Sequence, residues 1–276
     1  MTVNPDRRHL LKCAVLGGAG LAAGAPARLF AAADAFPMGD LEAHVRMRVN
    51  LRGARSYWYY KGTVFGNKWG EATRPMLGVE GISYSTIEAL PGGRYRYILN
   101  EAGYYSDPSS GEITAQVRNP FTGENYTPKH YLSPQKTIFS PDLTVTPDTE
   151  ALPPGLEYRG RISPLRLFKD TVISSEDLFV KILRPQFEDD PEQLPFTVQT
   201  SLATFTADRR ELLDPDLEFV PCQFNYQTLA TFRPWMGMGR QPGMMSWRMV
   251  GTKCGRQDLP TALVERIAGD HEGFFA

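Results

Sequence analysis

One histidine stands where proton transfer near neutral pH would need it. His130 follows the turn Asn119-Pro120-Phe121-Thr122-Gly123, at the end of a strand-like run and beside Lys129 and Tyr131. Imidazole ordinarily titrates within the physiological range, which makes His130 the candidate general acid and base. The densest aromatic run is Tyr57-Trp58-Tyr59-Tyr60-Lys61. On an extended strand successive side chains alternate, so Trp58 and Tyr60 share one face and Tyr57, Tyr59 and Lys61 share the other. Such a face is expected to wall a cavity for an apolar or aromatic molecule, with Tyr60 as a phenol donor. Glu101 and Arg118 sit on strands just before turns. Buried, each would have to pair or meet a ligand, because an isolated buried charge is costly. These residues nominate a site: His130, Tyr60 and Arg118 for catalysis, and Trp58, Glu101, Tyr104 and Trp235 for ligand binding. Core packing and self-capped turns compete for the same residues, and for Asp107 and Asn119 the capping role is the expected one.

Beyond the first 33 residues the histidines are His44, His130 and His271, too far apart in sequence for ligand-like spacing, so no metal site is assigned. The stretch from Phe232 to Met245 holds Met236, Met238, Met244 and Met245 around Trp235, and is expected to form an adaptable lid or pocket rim. Its methionines are not spaced as a repeated copper-binding array. The chain has no phosphate loop, dinucleotide glycine fingerprint, zinc-protease helix or nucleophile elbow, and no cofactor is expected.

The elements that must hold these residues read as strands and turns. Val45–Leu51, Tyr57–Phe65 and Gly81–Leu90 are strand-like, and Pro91-Gly92-Gly93 turns into Arg94–Leu99, where arginines alternate with tyrosines. Ile113–Arg118 and Glu124–Tyr131 flank the Asn119 turn. Strand-like runs resume at Thr171–Leu183, Phe196–Thr206, Phe219–Phe232 and Met244–Thr252, with helices expected at Ala207–Leu213 and Thr261–Ala268. Between them, 133–165 carries six prolines and is expected to be an excursion with little regular structure. The spacing predicts a mainly β protein: a single antiparallel β-barrel or strongly curved, lipocalin-like sheet over 34–276, with a short C-terminal helix.

Several turns carry a resemblance. Glu101-Ala102-Gly103-Tyr104-Tyr105-Ser106-Asp107-Pro108 with Gly111-Glu112-Ile113, then Arg118-Asn119-Pro120-Phe121-Thr122-Gly123-Glu124, resembles a bacterial family catalogued as domain-of-unknown-function family 1838. Leu77-Gly78-Val79-Glu80-Gly81, Gly251-Thr252-Lys253 and Asp258-Leu259-Pro260 extend the likeness over about residues 38–275. It implies a secreted or periplasmic β-rich protein, often with a twin-arginine signal. It implies no established reaction and no catalytic residues.

Residues 1–33 read as that signal. Arg7-Arg8 precede the Gly- and Ala-rich run Cys13–Ala27, and Ala31-Ala32-Ala33 offers the small residues a signal peptidase needs. The apolar run is shorter than the ~20 residues a membrane span requires. Cleavage there removes four of the 30 basic residues (Arg7, Arg8, Lys12, Arg28) and one of the 31 acidic ones (Asp6), leaving a net charge of −4. That balance gives no pull towards nucleic acid or anionic lipid, and no integral membrane segment is expected in the remainder. Cys222 and Cys254 remain, either paired or as two buried thiols.

The expected partners are the twin-arginine export machinery and a small apolar or aromatic molecule, and the expected place is the periplasm. The function expected is a cofactor-free lyase, isomerase or hydratase. A periplasmic lipocalin-like carrier is the alternative, and a structural or assembly protein a third reading.

Overall fold

The aromatic run forms the middle of a long strand, β1 (Ser56–Lys68). The computed structural model describes residues 36–152, 154–183 and 194–276; the expected export signal, 1–33, lies outside the described residues. Strands follow as β2 (Arg74–Leu90), β3 (Arg94–Ser106), β4 (Val117–Arg118), β5 (Asn125–Tyr126), β6 (Tyr131–Phe139), β7 (Thr144–Pro147), β8 (Leu156–Phe168), β9 (Thr171–Leu183), β10 (Phe196–Asp208), β11 (Gln223–Ala230) and β12 (Gly243–Cys254). Ten of them close a barrel in the order β1-β2-β3-β6-β7-β8-β9-β10-β11-β12, with β12 returning to pair with β1. Each strand lies beside its predecessor, antiparallel, and closure leaves no free sheet edge. β4 and β5 form a separate two-stranded sheet between β3 and β6. The mainly β architecture is the one the strand periodicity predicts, and of the two forms expected, barrel or strongly curved sheet, it is the closed barrel. At the β2–β3 hairpin Gly92 and Gly93 have φ of +77° and +71°, a left-handed geometry that side chains resist.

Two expectations about local structure are corrected. The proline-rich stretch 133–165 is not irregular: it holds most of β6, all of β7 and the first part of β8. Pro134 lies within β6 and Pro147 ends β7. Val45–Leu51 is not a strand. Asp40–Arg48 forms a helix, α1, whose acidic residues Asp40 and Glu42 sit in the first turn and whose Arg46 and Arg48 sit in the last. That arrangement complements the helix dipole. Val45, Met47 and Val49 alternate as in a strand, but Leu41, His44, Val45 and Arg48 also repeat with helical spacing.

α1 is stationed at one end of the barrel. Leu41, Val45 and Val49 pack against Tyr97 of β3, Phe139 of β6, Val145 of β7 and Ile162 of β8. Its last carbonyls, which no helical N–H can reach, are met by side chains from the wall. Lys253 of β12 donates to the carbonyls of Arg46 and Met47, and the Trp58 indole N–H donates to that of Arg48.

A second cluster joins Tyr60, Leu77, Val79 and Tyr105 to Val117, Tyr126, Met236, Met238 and Trp247. Here the Asn119 turn ties the methionine-rich loop down: the Asn119 side-chain amide donates to the Met236 carbonyl at 2.8 Å. Two short helices complete the chain, α2 (Arg209–Leu213), capped by Asp208, and α3 (Thr261–Asp270). α3 sets Leu263 and Ile267 against Tyr57, Ile82 and Tyr104 on the outer face of the first three strands. Cys222 and Cys254 are both free thiols. Among the described residues no helix is long and apolar enough to cross a membrane.

Candidate functional site

Paired residues on neighbouring strands point to the same face, so register determines what meets inside the barrel. One inward row runs Phe205, Phe224, Gly251, Tyr60, Gly81, Gly103 and Tyr131, crossing β10, β11, β12, β1, β2, β3 and β6. Three of these seven positions are glycine, and each lies beneath a neighbouring aromatic ring. A Cβ on Gly81 would collide with the Tyr60 phenol, one on Gly103 with the Tyr131 phenol, and one on Gly251 with the Phe224 ring. The two tyrosines lean over the glycines towards each other, and their phenol oxygens are 2.7 Å apart. An adjacent inward row places Lys253, Trp58, Ser83, Glu101 and Ser133 side by side. Glu101 thereby comes within hydrogen-bonding reach of Tyr60.

These rows border a cavity of about 460 Å³ whose walls include Trp58, Tyr60, Tyr105, Tyr131, Phe205, Phe224, Trp235 and Trp247. Its polar lining includes Glu101, Glu176, Arg48, Arg233, Lys129 and Gln199. A concavity walled by aromatic rings, on which charged and polar side chains converge, has the form of a small-molecule site.

Its two carboxyl groups stand in contrasting environments. Burial raises the pKa of Glu101 above the ordinary carboxylate value, and the Tyr60 hydrogen bond only partly opposes this. Burial pushes Glu176 upward as well, but the Arg48 charge and the contacts with His44 outweigh it and hold Glu176 below its ordinary value. Arg48 is ion-paired with Glu176 and lies over the Tyr97 ring at 4.2 Å and the Phe205 ring at 4.9 Å. Behind the pair, the fully buried His44 is 3.5 Å from the Glu176 carboxylate through Nε2 and 2.7 Å from Ser174 Oγ through Nδ1. Burial lowers the pKa of His44. Burial pushes Tyr60 and Tyr131 well above the ordinary phenol value, and Tyr105 up to about 12. These phenols therefore keep their protons and can donate them.

The structure brings Trp58, Tyr60, Glu101 and Trp235 to this one cavity. It leaves His130, Arg118 and Tyr104 outside it. His130 comes one residue before the inward Tyr131, and its Nδ1 accepts the Tyr105 backbone N–H at 3.1 Å. Its exposed ring lies 4.9 Å from that of Tyr104. Tyr104, between inward Gly103 and Tyr105, faces α3 and donates to Asp270 at 2.7 Å. Arg118 is exposed and closes its own turn by donating to the Gly123 carbonyl at 3.2 Å. Asp107 accepts from the backbone N–H groups of Ser109 and Ser110, the turn-capping role expected of it. Among the described residues no group of three or more His, Cys, Asp or Glu is arranged to hold a metal ion.

Glu176, Arg48 and Tyr131 were not singled out from the sequence. Interior strand glycines mark close approach of a neighbouring group, so Gly81 and Gly103 were the signal for Tyr131. No local pattern marks Glu176 or Arg48.

Fold and site together define a closed antiparallel barrel around one aromatic cavity with two carboxyl groups. A family model described as "Protein of unknown function (DUF1838)" matches residues 53–151 and 163–275, and the chain belongs to that family. No curated protein and no solved structure matches the chain.

Proposed function

We propose that the barrel is a cofactor-independent enzyme of the lyase, isomerase or hydratase type, which moves a proton on a small apolar or aromatic molecule held in its lumen. The observation that carries this reading is the pair Glu101 and Glu176. Both open on one aromatic cavity, on strands four apart around the barrel one way and six the other, and their surroundings drive their proton affinities in opposite directions. Such a pair divides the labour: Glu101, whose burial favours the proton-bound form, serves as the acid, and Glu176, held in the ionised form by Arg48, as the acceptor. Trp58, Trp235 and Trp247 hold the ring or chain of the ligand, and Tyr60 steadies developing negative charge. His130 has no part in this proposal, because it lies outside the cavity.

Transfer can be followed without knowing the product. A panel of small aromatic and apolar molecules, incubated with the protein in deuterium oxide and recovered, should include a member that takes up deuterium or is converted. Glu101→Gln should slow that exchange by roughly 10²–10⁴-fold. If every bound molecule is returned unlabelled and unchanged, the protein is a carrier and the catalytic reading fails.

The proposal includes export by the twin-arginine route to the periplasm, motivated by Arg7-Arg8 and the small residues at 31–33. Changing both arginines to lysine should leave uncleaved chain in the cytoplasm. Periplasmic protein beginning near Asp34 in that variant would overturn the route.

A further inference from the structure

We propose that Tyr60, Tyr131 and Glu101 form an oxyanion-binding site, and that the substrate is an enolisable carbonyl compound whose oxygen rests on them. The inference deepens the proton-transfer reading above and rests on it.

Three observations converge. The first is the construction of the wall. Tyr60 and Tyr131 stand on strands β1 and β6, separated by β2 and β3, and their phenols meet only because Gly81 and Gly103 leave the inward face of both intervening strands bare. Two glycines in one row weaken those strands, and the paired phenols are what the bare row accommodates. The second is the chemistry of the three groups. Phenol and neutral carboxyl are both hydrogen-bond donors, and burial keeps all three on the protonated side of their ordinary behaviour. Donors fixed in a site shielded from water stabilise a developing negative oxygen far better than donors in water. The third is placement. The cluster faces the cavity, flat aromatic surfaces surround it, and the ionised carboxylate of Glu176 lies on a distant strand of the same lumen.

This combination suits one reaction class. A proton leaves a carbon conjugated with the carbonyl, at the end of the molecule that faces Glu176, and passes to that carboxylate, while the C–H electron pair moves through the conjugated system into the carbonyl and the oxygen becomes an enolate held by the two phenols and Glu101. Return of a proton to the same or another carbon regenerates the carbonyl. No electrons are gained or lost, so no oxidant or reductant is required.

The test uses two probes of nearly one shape, 4-nitrophenol and 4-nitroanisole, of which only the first can become an oxyanion. Both should quench the fluorescence of the cavity tryptophans in the full protein. Buffered below its own pKa, bound 4-nitrophenol should show the absorbance of the phenolate. It should also bind at least about tenfold more tightly than the anisole, the scale of one or two charge-assisted hydrogen bonds. The double variant Tyr60→Phe/Tyr131→Phe keeps both rings and removes both phenol protons; it should abolish the phenolate absorbance and the preference while the anisole still binds and quenches. If that variant does not fold, the wild-type spectrum alone decides. Bound 4-nitrophenol with the spectrum of the neutral phenol, or equal affinity for both probes, would overturn the oxyanion site. If deuterium exchange on other molecules persists alongside that result, the proton-transfer reading stands without it; if exchange is absent too, both fall.

Discussion

The phenol oxygens of Tyr60 and Tyr131 lie 2.7 Å apart although two strands separate their backbones. That distance depends on what is missing from Gly81 and Gly103. A methyl group on Gly103 would run into Cζ and the phenol oxygen of Tyr131, and one on Gly81 would also press on the Ala102 carbonyl. Tyr131 is the inner neighbour of Gly103, and it has little room to retreat because it packs against the apolar cluster around Tyr105.

Gly103→Ala is therefore expected to destabilise the fold by about 1–3 kcal/mol, the usual range for overpacking a filled core. Urea unfolding of the wild type and the variant measures it. The same variant should lose ligand binding, because the ring that moves is part of the cavity wall. A neutral or stabilising Gly103→Ala would mean that the tyrosine pair is not held where it stands.

Glu101 makes the next prediction, through pH. Its folded pKa lies above the ordinary 4.5 because burial disfavours the carboxylate. Above pH 4.5 the folded state holds a proton that the unfolded chain releases. The contribution of Glu101 is thus fully present below that value and is lost as pH rises through the folded pKa. Glu101→Gln removes the titration and keeps the shape. The stability of the wild type relative to Glu101→Gln should therefore fall as pH rises from about 4.5 towards neutrality. A difference that is flat, or that grows in favour of the wild type, would contradict a buried, proton-holding Glu101.

Much of the barrel was legible because a half-buried strand writes its face into the sequence every second residue. Thr171–Leu183 matches β9 residue for residue, and the alternation in Tyr57–Lys61 gives the inward Trp58 and Tyr60. The same alternation separates His130 from the cavity. A single step along the chain reverses the face, and local sequence did not reveal that Tyr131 and not His130 is the inward residue. Arg48 and Glu176 were hidden for another reason. They are 128 residues apart in the chain, and their pairing follows from placing α1 at the end of a barrel whose closure no local pattern records.

That buried pair carries the last prediction. Arg48 and Glu176 have side chains only 12% and 13% exposed. Glu176→Gln would leave the guanidinium stacked among Tyr97, Phe139 and Phe205 without its countercharge. Breaking one side of such a pair typically costs ~3–5 kcal/mol. His44 adds a signature in pH, since burial lowers its folded pKa below the ordinary 6.5. As pH falls below 6.5, the unfolded chain takes up a proton that folded His44 refuses. Stability present above that value is then lost on the way down to the folded pKa. Glu176, also lowered in the folded state, works in the same direction but from its ordinary 4.5 downward. Two stages of acid loss are thus expected, opposed in part between them by Glu101, so each is read as a difference between wild type and variant. His44→Gln should flatten the stage that begins near pH 6.5, while the stage below 4.5, to which the Arg48 charge contributes most, persists in reduced form. If His44→Gln and the wild type lose stability in parallel between pH 6.5 and 5, the histidine is not the buried neutral base behind Glu176 that the geometry describes.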